Sequence, residues 1–391
     1  MVDKKVFTHI DCFSGVGGIC TGLHAAGFNT LVAVEKVKSC VETYSKNHSN
    51  VKVIHNDITK VTAEDILPHI KGEVDLVTSG MPCETFSTAG SKSRSFYDER
   101  QYLFKEGIRI AKIVNAKMIL FENVPAITTK TVAKDSNDLI IDELFKELKK
   151  AGYKYYVSTI LNSADFGVPQ LRDRFFVLAS RFDWKLRIPV AHGNNYVTVE
   201  EALIDLPNVV VNSNTEETQY NGKSSEYIKL MKNNEFWKLE NSTNNITYHL
   251  PPNHRAGTLE RFSYIKQGEG LKNLFDKFSK EEIEELQKRK VLPKKWYIQR
   301  NRRLVPTSPS PTVTSHCLDE LLHPFYDRAL TVREAARLQS FPDSYDFVGG
   351  KYIHPHIYEE QDKYEQIGDA VPPLLSYEWG KVIKEILEEN T

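Results

Sequence analysis

Residues 6 to 35 read VFTHIDCFSGVGGICTGLHAAGFNTLVAVE. The first apolar run, VFTHIDCF, has the length and composition of a strand. It passes straight into Ser14-Gly15-Val16-Gly17-Gly18 and then into ICTGLHAAGF, a helical pattern with Gly27 placed to cap it. A second apolar run, TLVAVE, ends in Glu35. Strand, glycine turn, helix and strand in this order form the repeating half of a parallel sheet with covering helices. A glycine turn at a strand end lets a ligand approach the backbone. A carboxylate 20 residues past Gly15 stands where it can take two ribose hydroxyls. The turn is GxGG and lacks the GxGxxG spacing, so a dinucleotide pyrophosphate is not demanded, and an adenosine with a short cationic tail fits as well.

Outward from this unit, VKVIHND, VDLVTSG, KMILFEN, KYYVSTIL and RFFVLAS continue the alternation to about residue 180. Between them LIIDELFKELKK (139–150) spaces its apolar residues at helical intervals and stops before Gly152. The fold class is therefore α/β with a mostly parallel sheet. From about 185 to 310 the texture changes: residues 211–225 hold eight Asn, Ser or Thr in fifteen, which is loop chemistry and suggests a second, irregular domain. Within it Ser279 and Glu282 form a capping box opening a short helix, which Pro293 follows. Past Pro311 regular structure returns. Thr331 and Glu334 form a second capping box, with Pro342 limiting that helix, and the final stretch places Leu375, Trp379, Ile383 and Ile386 along one helical face.

The 391 residues are 40% hydrophobic and 26% charged, which excludes disorder and leaves enough chain for two domains. No apolar run reaches the ~18 residues of a membrane span, and the start turns acidic before a signal-peptide core could form. A soluble, non-exported chain is expected. Five cysteines without a CxxC pair indicate neither a disulfide framework nor a zinc knuckle, and a reducing cytoplasm fits them. His316, Cys317 and His323 lack a fourth ligand and read as packing residues, so no metal is expected. The net charge of −1 requires any nucleic-acid partner to be met by a local patch. Residues 288–303, KRKVLPKKWYIQRNRR, supply one: eight Lys or Arg, no acid, and Trp296 and Tyr297 interleaved. Its candidate contacts are Lys294, Lys295, Arg300, Arg302 and Arg303.

Chemistry-bearing residues gather at strand ends. VDLVTSG delivers Gly80-Met81-Pro82-Cys83-Glu84, which makes Cys83 a candidate nucleophile at the carboxyl edge of the sheet. KMILF delivers Glu122-Asn123-Val124-Pro125, a carboxylate placed where its pKa can be shifted. Arg172 and Arg174 precede FFVLAS, and two cations there would favour a thiolate. Asp57, at the end of VKVIHND, can accept from an adenine amino group.

Together DCFSGVGG, GMPCETFS, ENV, QLRDR, RALTVREAARLQSFP (328–342) and QIGDAVPP (366–373) resemble, in order, the motifs of the cytosine-5 DNA methyltransferases of bacterial restriction-modification systems. The likeness covers 6–180 and 300–391. It implies a Rossmann-like S-adenosylmethionine-dependent catalytic domain (1–185), a smaller irregular target-recognition domain (186–310), and a return to the catalytic domain (311–391). It further implies methylation of carbon 5 of a cytosine in a specific duplex DNA sequence, with the base flipped out and Cys83 attached at carbon 6. Glu122, Arg172 and Arg174 would complete the catalytic set. Phe13, Gly15, Gly17, Gly18, Glu35, Asp57, Ile58, Pro82, Leu103, Asp369 and Val371 would hold S-adenosylmethionine and its product S-adenosylhomocysteine. Double-stranded DNA is the expected partner of a monomer, with a cognate restriction endonuclease acting in the same system and no membrane involved. Two positions depart from the family pattern: Glu84 stands for the usual Gln, and Asp369 for the usual Asn. An RNA cytosine methyltransferase, or a binding module with an inactive methyltransferase body, would carry much of the same pattern.

Overall fold

The computed structural model describes residues 6–82, 99–133, 136–213, 215–240, 245–350 and 360–391. One sheet contains β1 (Phe7–Cys12), β2 (Phe28–Glu35), β3 (Lys52–His55), β4 (Leu76–Gly80), β5 (Met118–Asn123), β6 (Tyr155–Asn162) and β7 (Asp173–Ser180). Their order is β3-β2-β1-β4-β5-β7-β6. The pairs from β3 to β5 are parallel, and β7 runs antiparallel to both β5 and β6. The sheet is thus α/β and mostly parallel. From β1 the chain builds outward to β3 on one side and then, from β4, on the other. The crevice outside the carboxyl ends of β1 and β4 is where such sheets bind ligands.

Alternate residues of the central strands enter different cores, as period-2 geometry requires. Val77, Ile119, Phe121 and Val177 face one side, beneath the helices Phe104–Ile113 and Ile140–Lys150. Leu76, Met118, Leu120, Phe176 and Leu178 face the other side. There they meet Ile19 and Leu23 of the helix Gly18–Ala26, and Leu375, Trp379, Ile383 and Ile386 of the helix Pro373–Asn390. Burial on both faces explains why these strands read as continuous apolar runs. The first and last helices pack very closely: a Cβ on Gly22 would lie 2.3 Å from the Pro373 carbonyl oxygen, and one on Gly380 2.6 Å from Ala26 Cβ.

Beyond a small cluster of Cys20, Ala33, Tyr44 and Val51, the rest of the apolar interior among the described residues falls into two further parts. Val199, Leu203, Tyr227, Met231 and Trp237 share a core with Leu330, Ala335, Ala336, Leu338 and Phe341. Phe262, Ile265, Leu271, Leu274, Leu286, Val291 and Leu292 make a smaller core that Leu322 closes. Three fully buried arginines stitch the 328–345 segment together: Arg328 on Glu334, Arg333 on the Pro342 and Tyr345 carbonyls, and Arg337 between Asp205 and Asp343.

Local signals mostly hold. Ser279 and Thr331 cap their helices with the reciprocal Glu282 and Glu334 contacts, and Gly27, at φ 103°, ends the first helix. Two boundaries differ. β3 stops at His55, so Asp57 is not a strand terminus. It caps the short turn Ile58–Lys60 instead, accepting from the Thr59 N–H. The helix after Thr331 ends at Leu338, ahead of Pro342, because Ser340 turns the chain with φ 63°.

The contact at Gly22 gives a test of the packing. Gly22→Ala should lower stability by roughly 1–3 kcal/mol, because the added methyl meets backbone that cannot rotate away. Thermal denaturation of the variant against wild type measures the change.

Candidate active site

At the carboxyl edge of the sheet β4 and β5 end side by side, with Gly80 opposite Glu122. Past this pair, Met81 is buried and Pro82 half-buried, and they lead toward Cys83. Cys83 and Glu84 themselves lie outside the described residues. Arg174, near the start of β7, places Nε 2.9 Å from Glu122 Oε1, both side chains nearly closed to solvent. Burial pushes the Glu122 carboxyl above the ordinary glutamate value, and the guanidiniums of Arg174 and Arg172 offset only part of that rise. A carboxyl held in this way can accept a hydrogen bond or share a proton with a ring nitrogen.

The sequence pairs Arg172 with Arg174, but the structure gives them different partners. Arg172 donates to the carbonyl oxygens of Val313 (2.7 Å), Gly368 (2.7 Å) and Ala370 (3.2 Å). It ties the C-terminal return of the chain to the catalytic strands, while remaining close enough to act on the charge of Glu122. Gln170 works beside it, accepting from the Val313 N–H and donating to the Leu338 carbonyl.

Two of the expected cofactor residues, Glu35 and Val371, bear directly on the first glycine turn. Glu35 accepts from the Gly15 N–H with one oxygen and from the Lys36 and Val37 N–H groups with the other, each at 2.8 Å. It therefore pins the turn directly. Gly15 lies at φ 52°, and an added Cβ would meet no atom within 4 Å, so open space stands above the turn. Gly17 is also left-handed, at φ 85°, and a side chain there would press on His48 and Tyr345. Gly18 has a different reason: its Cβ would lie 2.3 Å from the Val371 carbonyl oxygen, so its absence lets Val371 approach the first helical turn. Phe13, Ile54, Leu103 and Val124 are partly buried and pack against the core on that face of the sheet. Asp57 Oδ1 is taken by Thr59, while Oδ2 accepts nothing among the described residues. Arg109 holds the carbonyls of Ile58 and Val61, fixing this loop. Asp369 is exposed and accepts from Gln361. These donors and acceptors suit a nucleoside: an unoccupied Asp57 oxygen and the remaining lone pairs of Glu35 for amino and hydroxyl groups, an open backbone turn, and apolar side chains for a base.

Beneath the turn lies a buried polar network. Asp11, desolvated and accepting from Thr78, has its carboxyl pushed up to about 7. Cys20, His24 and His48 bring their ligand-type atoms within 4.8 Å of one another. Cys20 Sγ already contacts Thr30 Oγ1 and His24 Nε2, and His48 Nε2 contacts Thr21. His48 Nδ1 is buried without a hydrogen-bond partner among the described residues. We assign no metal to it.

The fold splits the basic run. Lys294 and Lys295 are exposed and pair with no described acid; Arg302 is exposed as well, and Arg300 is exposed but paired with Asp319 at 3.0 Å. Trp296 and Tyr297 stand exposed between them. Arg303 is a correction to the sequence reading. It is buried, and its five N–H groups are consumed by the carbonyls of Ile265, His323, Tyr326 and Phe262 and by Asp327. No donor is left for a phosphate. Composition could not separate it from its exposed neighbour, because in an extended pair successive side chains point to opposite sides.

Residues 7–385 match the family described as C-5 cytosine-specific DNA methylase, and the chain belongs to that family. It is a cytosine-5 DNA methyltransferase of the restriction-modification type. Among its relatives is the type II methyltransferase M.DdeI of Desulfomicrobium norvegicum, 33% identical over 94% of this chain and 86% of that one. Another is M1.HphI of Haemophilus parahaemolyticus, 32% identical over 98% and 87%. A crystal structure of a prophage-encoded E. coli chain, described as a DNA modification methyltransferase, shares the fold with a TM-score of 0.73 at 24% identity, covering 98% of this chain and 99% of that one. The family implies S-adenosylmethionine as methyl donor and DNA as substrate. Among the described residues no helix is long and apolar enough to cross a membrane.

The division of the basic run is directly testable. Arg303→Met should cost about 3 kcal/mol or more of stability, since it leaves four largely buried carbonyls without a donor while the exposed Asp327 stays hydrated. Arg302→Ala should stay within about 0.5 kcal/mol of wild type. Urea denaturation of both variants distinguishes them.

Proposed function

We propose that the chain methylates carbon 5 of a cytosine within one specific duplex sequence, flipping the base from the stack and attacking carbon 6 with Cys83. The observation that carries this reading is the Glu122–Arg174 pair, held at the sheet edge beside the Gly80–Pro82 segment that leads to Cys83. Carbon 5 of cytosine is a poor nucleophile. Addition of the Cys83 sulfur to carbon 6 pushes ring electrons toward carbon 5, and Glu122, facing ring nitrogen 3 and the exocyclic amine, lets the ring accept them. Arg174 keeps the Glu122 carboxyl oriented, and Arg172 adds positive potential that favours the thiolate. Once carbon 5 carries the methyl group, loss of its proton restores the ring double bond and expels the Cys83 sulfur. Stacking in a duplex hides carbon 6, which is why the base must leave the helix.

Bound S-adenosylmethionine supplies the electrophilic methyl group. Glu35 would take the ribose hydroxyls with its remaining acceptor capacity, and the free Oδ2 of Asp57 the adenine amine beside the Ile58 backbone. Phe13 would stack on the base. Gly15, Gly17 and Gly18 keep the turn low, with Pro82, Leu103, Asp369 and Val371 closing around the remainder. S-adenosylhomocysteine shares every nucleoside contact and would bind there too.

Target recognition belongs to 186–310 in this reading, between catalytic segments 1–185 and 311–391. Lys294, Lys295, Arg300 and Arg302 would meet phosphates. The chain acts as a cytoplasmic monomer, with a restriction endonuclease of matching specificity as its functional counterpart.

A duplex carrying 5-fluorocytosine at the target tests the covalent route. Fluorine cannot leave as a proton, so the thiol stays attached, and a denaturation-resistant protein–DNA adduct should accumulate that needs both Cys83 and S-adenosylmethionine. Wild-type protein that methylates normal DNA without forming the adduct would refute it. Glu122→Gln should depress turnover by two or more orders of magnitude, roughly the scale of removing an acid–base group, with little change in S-adenosylmethionine affinity by calorimetry.

Neutralising Lys294, Lys295 and Arg302 should reduce the log–log salt slope of DNA binding by about 0.9 for every phosphate that these side chains neutralise. An unchanged slope would return these residues to a merely solvated surface.

A further inference from the structure

We infer that Asn123 is a positioning residue, a side-chain clamp that sets the segment Gly80–Pro82, which leads to Cys83, at a fixed distance from Glu122. The inference rests on the reading of Cys83 as the attacking group. Its basis is the point where the sheet's own hydrogen bonding stops. The pairing of β4 with β5 ends at Gly80 opposite Glu122. Immediately beyond, each arm carries a proline: Pro82 one residue before Cys83, and Pro125 two residues after Asn123. Proline has no N–H, so neither arm can extend the ladder from those positions. The two arms that carry the nucleophile and the carboxylate would otherwise be free to separate.

Asn123 bridges the gap. The side chain is almost fully buried, and its Oδ1 accepts from the Val124 N–H at 2.8 Å, turning the chain after Glu122. Its Nδ2 donates across to the Met81 carbonyl oxygen at 3.3 Å. Met81 is likewise buried, so its carbonyl is anchored two residues ahead of Cys83. One amide thus accepts on the carboxylate arm and donates on the nucleophile arm. Aspartate has the same shape but no donor: it would set an oxygen against the Met81 carbonyl and add a negative charge that raises the pKa of a nearby thiol. Alanine removes both bonds.

The test uses full-length wild type, Asn123→Ala and Asn123→Asp. Readouts are the single-turnover rate of methyl transfer, the rate of adduct formation on the 5-fluorocytosine duplex, the affinities for S-adenosylmethionine and DNA, and the pH–rate profile. Asn123→Ala should slow both rates by about 100-fold, the scale of an ångström-level misplacement of reacting groups, with both affinities within about twofold of wild type. In Asn123→Asp the rising limb of the pH profile should move to higher pH. Rates within about threefold of wild type in the alanine variant would overturn the clamp, as would rate decreases that merely track DNA or cofactor affinity. Should Asn123→Ala not fold, an unshifted pH limb in the isosteric Asn123→Asp overturns it instead. Absence of an adduct in wild-type protein refutes the Cys83 reading, whereas a wild-type adduct formed equally fast by the alanine variant refutes the clamp alone.

Discussion

The guanidinium of Arg172 is the junction on which this architecture depends. The seven-stranded sheet is complete by residue 180, and residues 313 and 368–370 return to it after a long excursion, meeting the chain just ahead of β7. Arg172 collects the carbonyls of Val313, Gly368 and Ala370 around one buried cation. Gln170 holds the Val313 N–H, and Gly368 lies so close to Thr314 that an added Cβ would come within 2.1 Å of its backbone. A buried charge with several carbonyl partners is costly to displace, since each partner would be left unsatisfied away from water. The same junction brings Val371 against Gly18, so the returning chain also packs on the glycine turn.

Around that junction the active edge is built from competing electrostatic demands. Burial drives the Glu122 carboxyl toward its protonated form while Arg174, at 2.9 Å, draws it back, leaving a group poised to share a proton. Glu35 is half-buried and its carboxyl pushed up by desolvation, but three backbone N–H groups hold it in place. Asp57, by contrast, is lowered by its bonds to Thr59. Two carboxylates that look equivalent in sequence are therefore used differently: one pins the glycine turn, and the other caps the turn Ile58–Lys60 with one oxygen left over.

The local chemistry that writes itself into sequence is the chemistry that acts over a few residues. Doubly buried strands appear as unbroken apolar runs, capping boxes appear as Ser279/Glu282 and Thr331/Glu334, and the glycine turn with Glu35 appears as a strand–turn–helix pattern. The class of fold, the identity of the sheet edge and the strand ends that carry Glu35 and Glu122 could all be read from these, because each is decided by periodicity or by a turn's backbone needs.

What the sequence leaves open is which equivalent polar groups find which partners, since that depends on residues more than a hundred positions apart. Arg172 and Arg174 differ by two residues, yet one meets carbonyls from 313–370 and the other Glu122. Arg302 and Arg303 are adjacent, yet one faces solvent and the other gives all five donors to a buried cage. The amide of Asn123 reaches Met81 only because two parallel strands end together. By itself the sequence determined the α/β sheet, the glycine turn and the residues able to do chemistry. The tertiary structure decided which cations are spent on the fold and which remain for a ligand, because a long-range hydrogen bond has no periodicity to betray it.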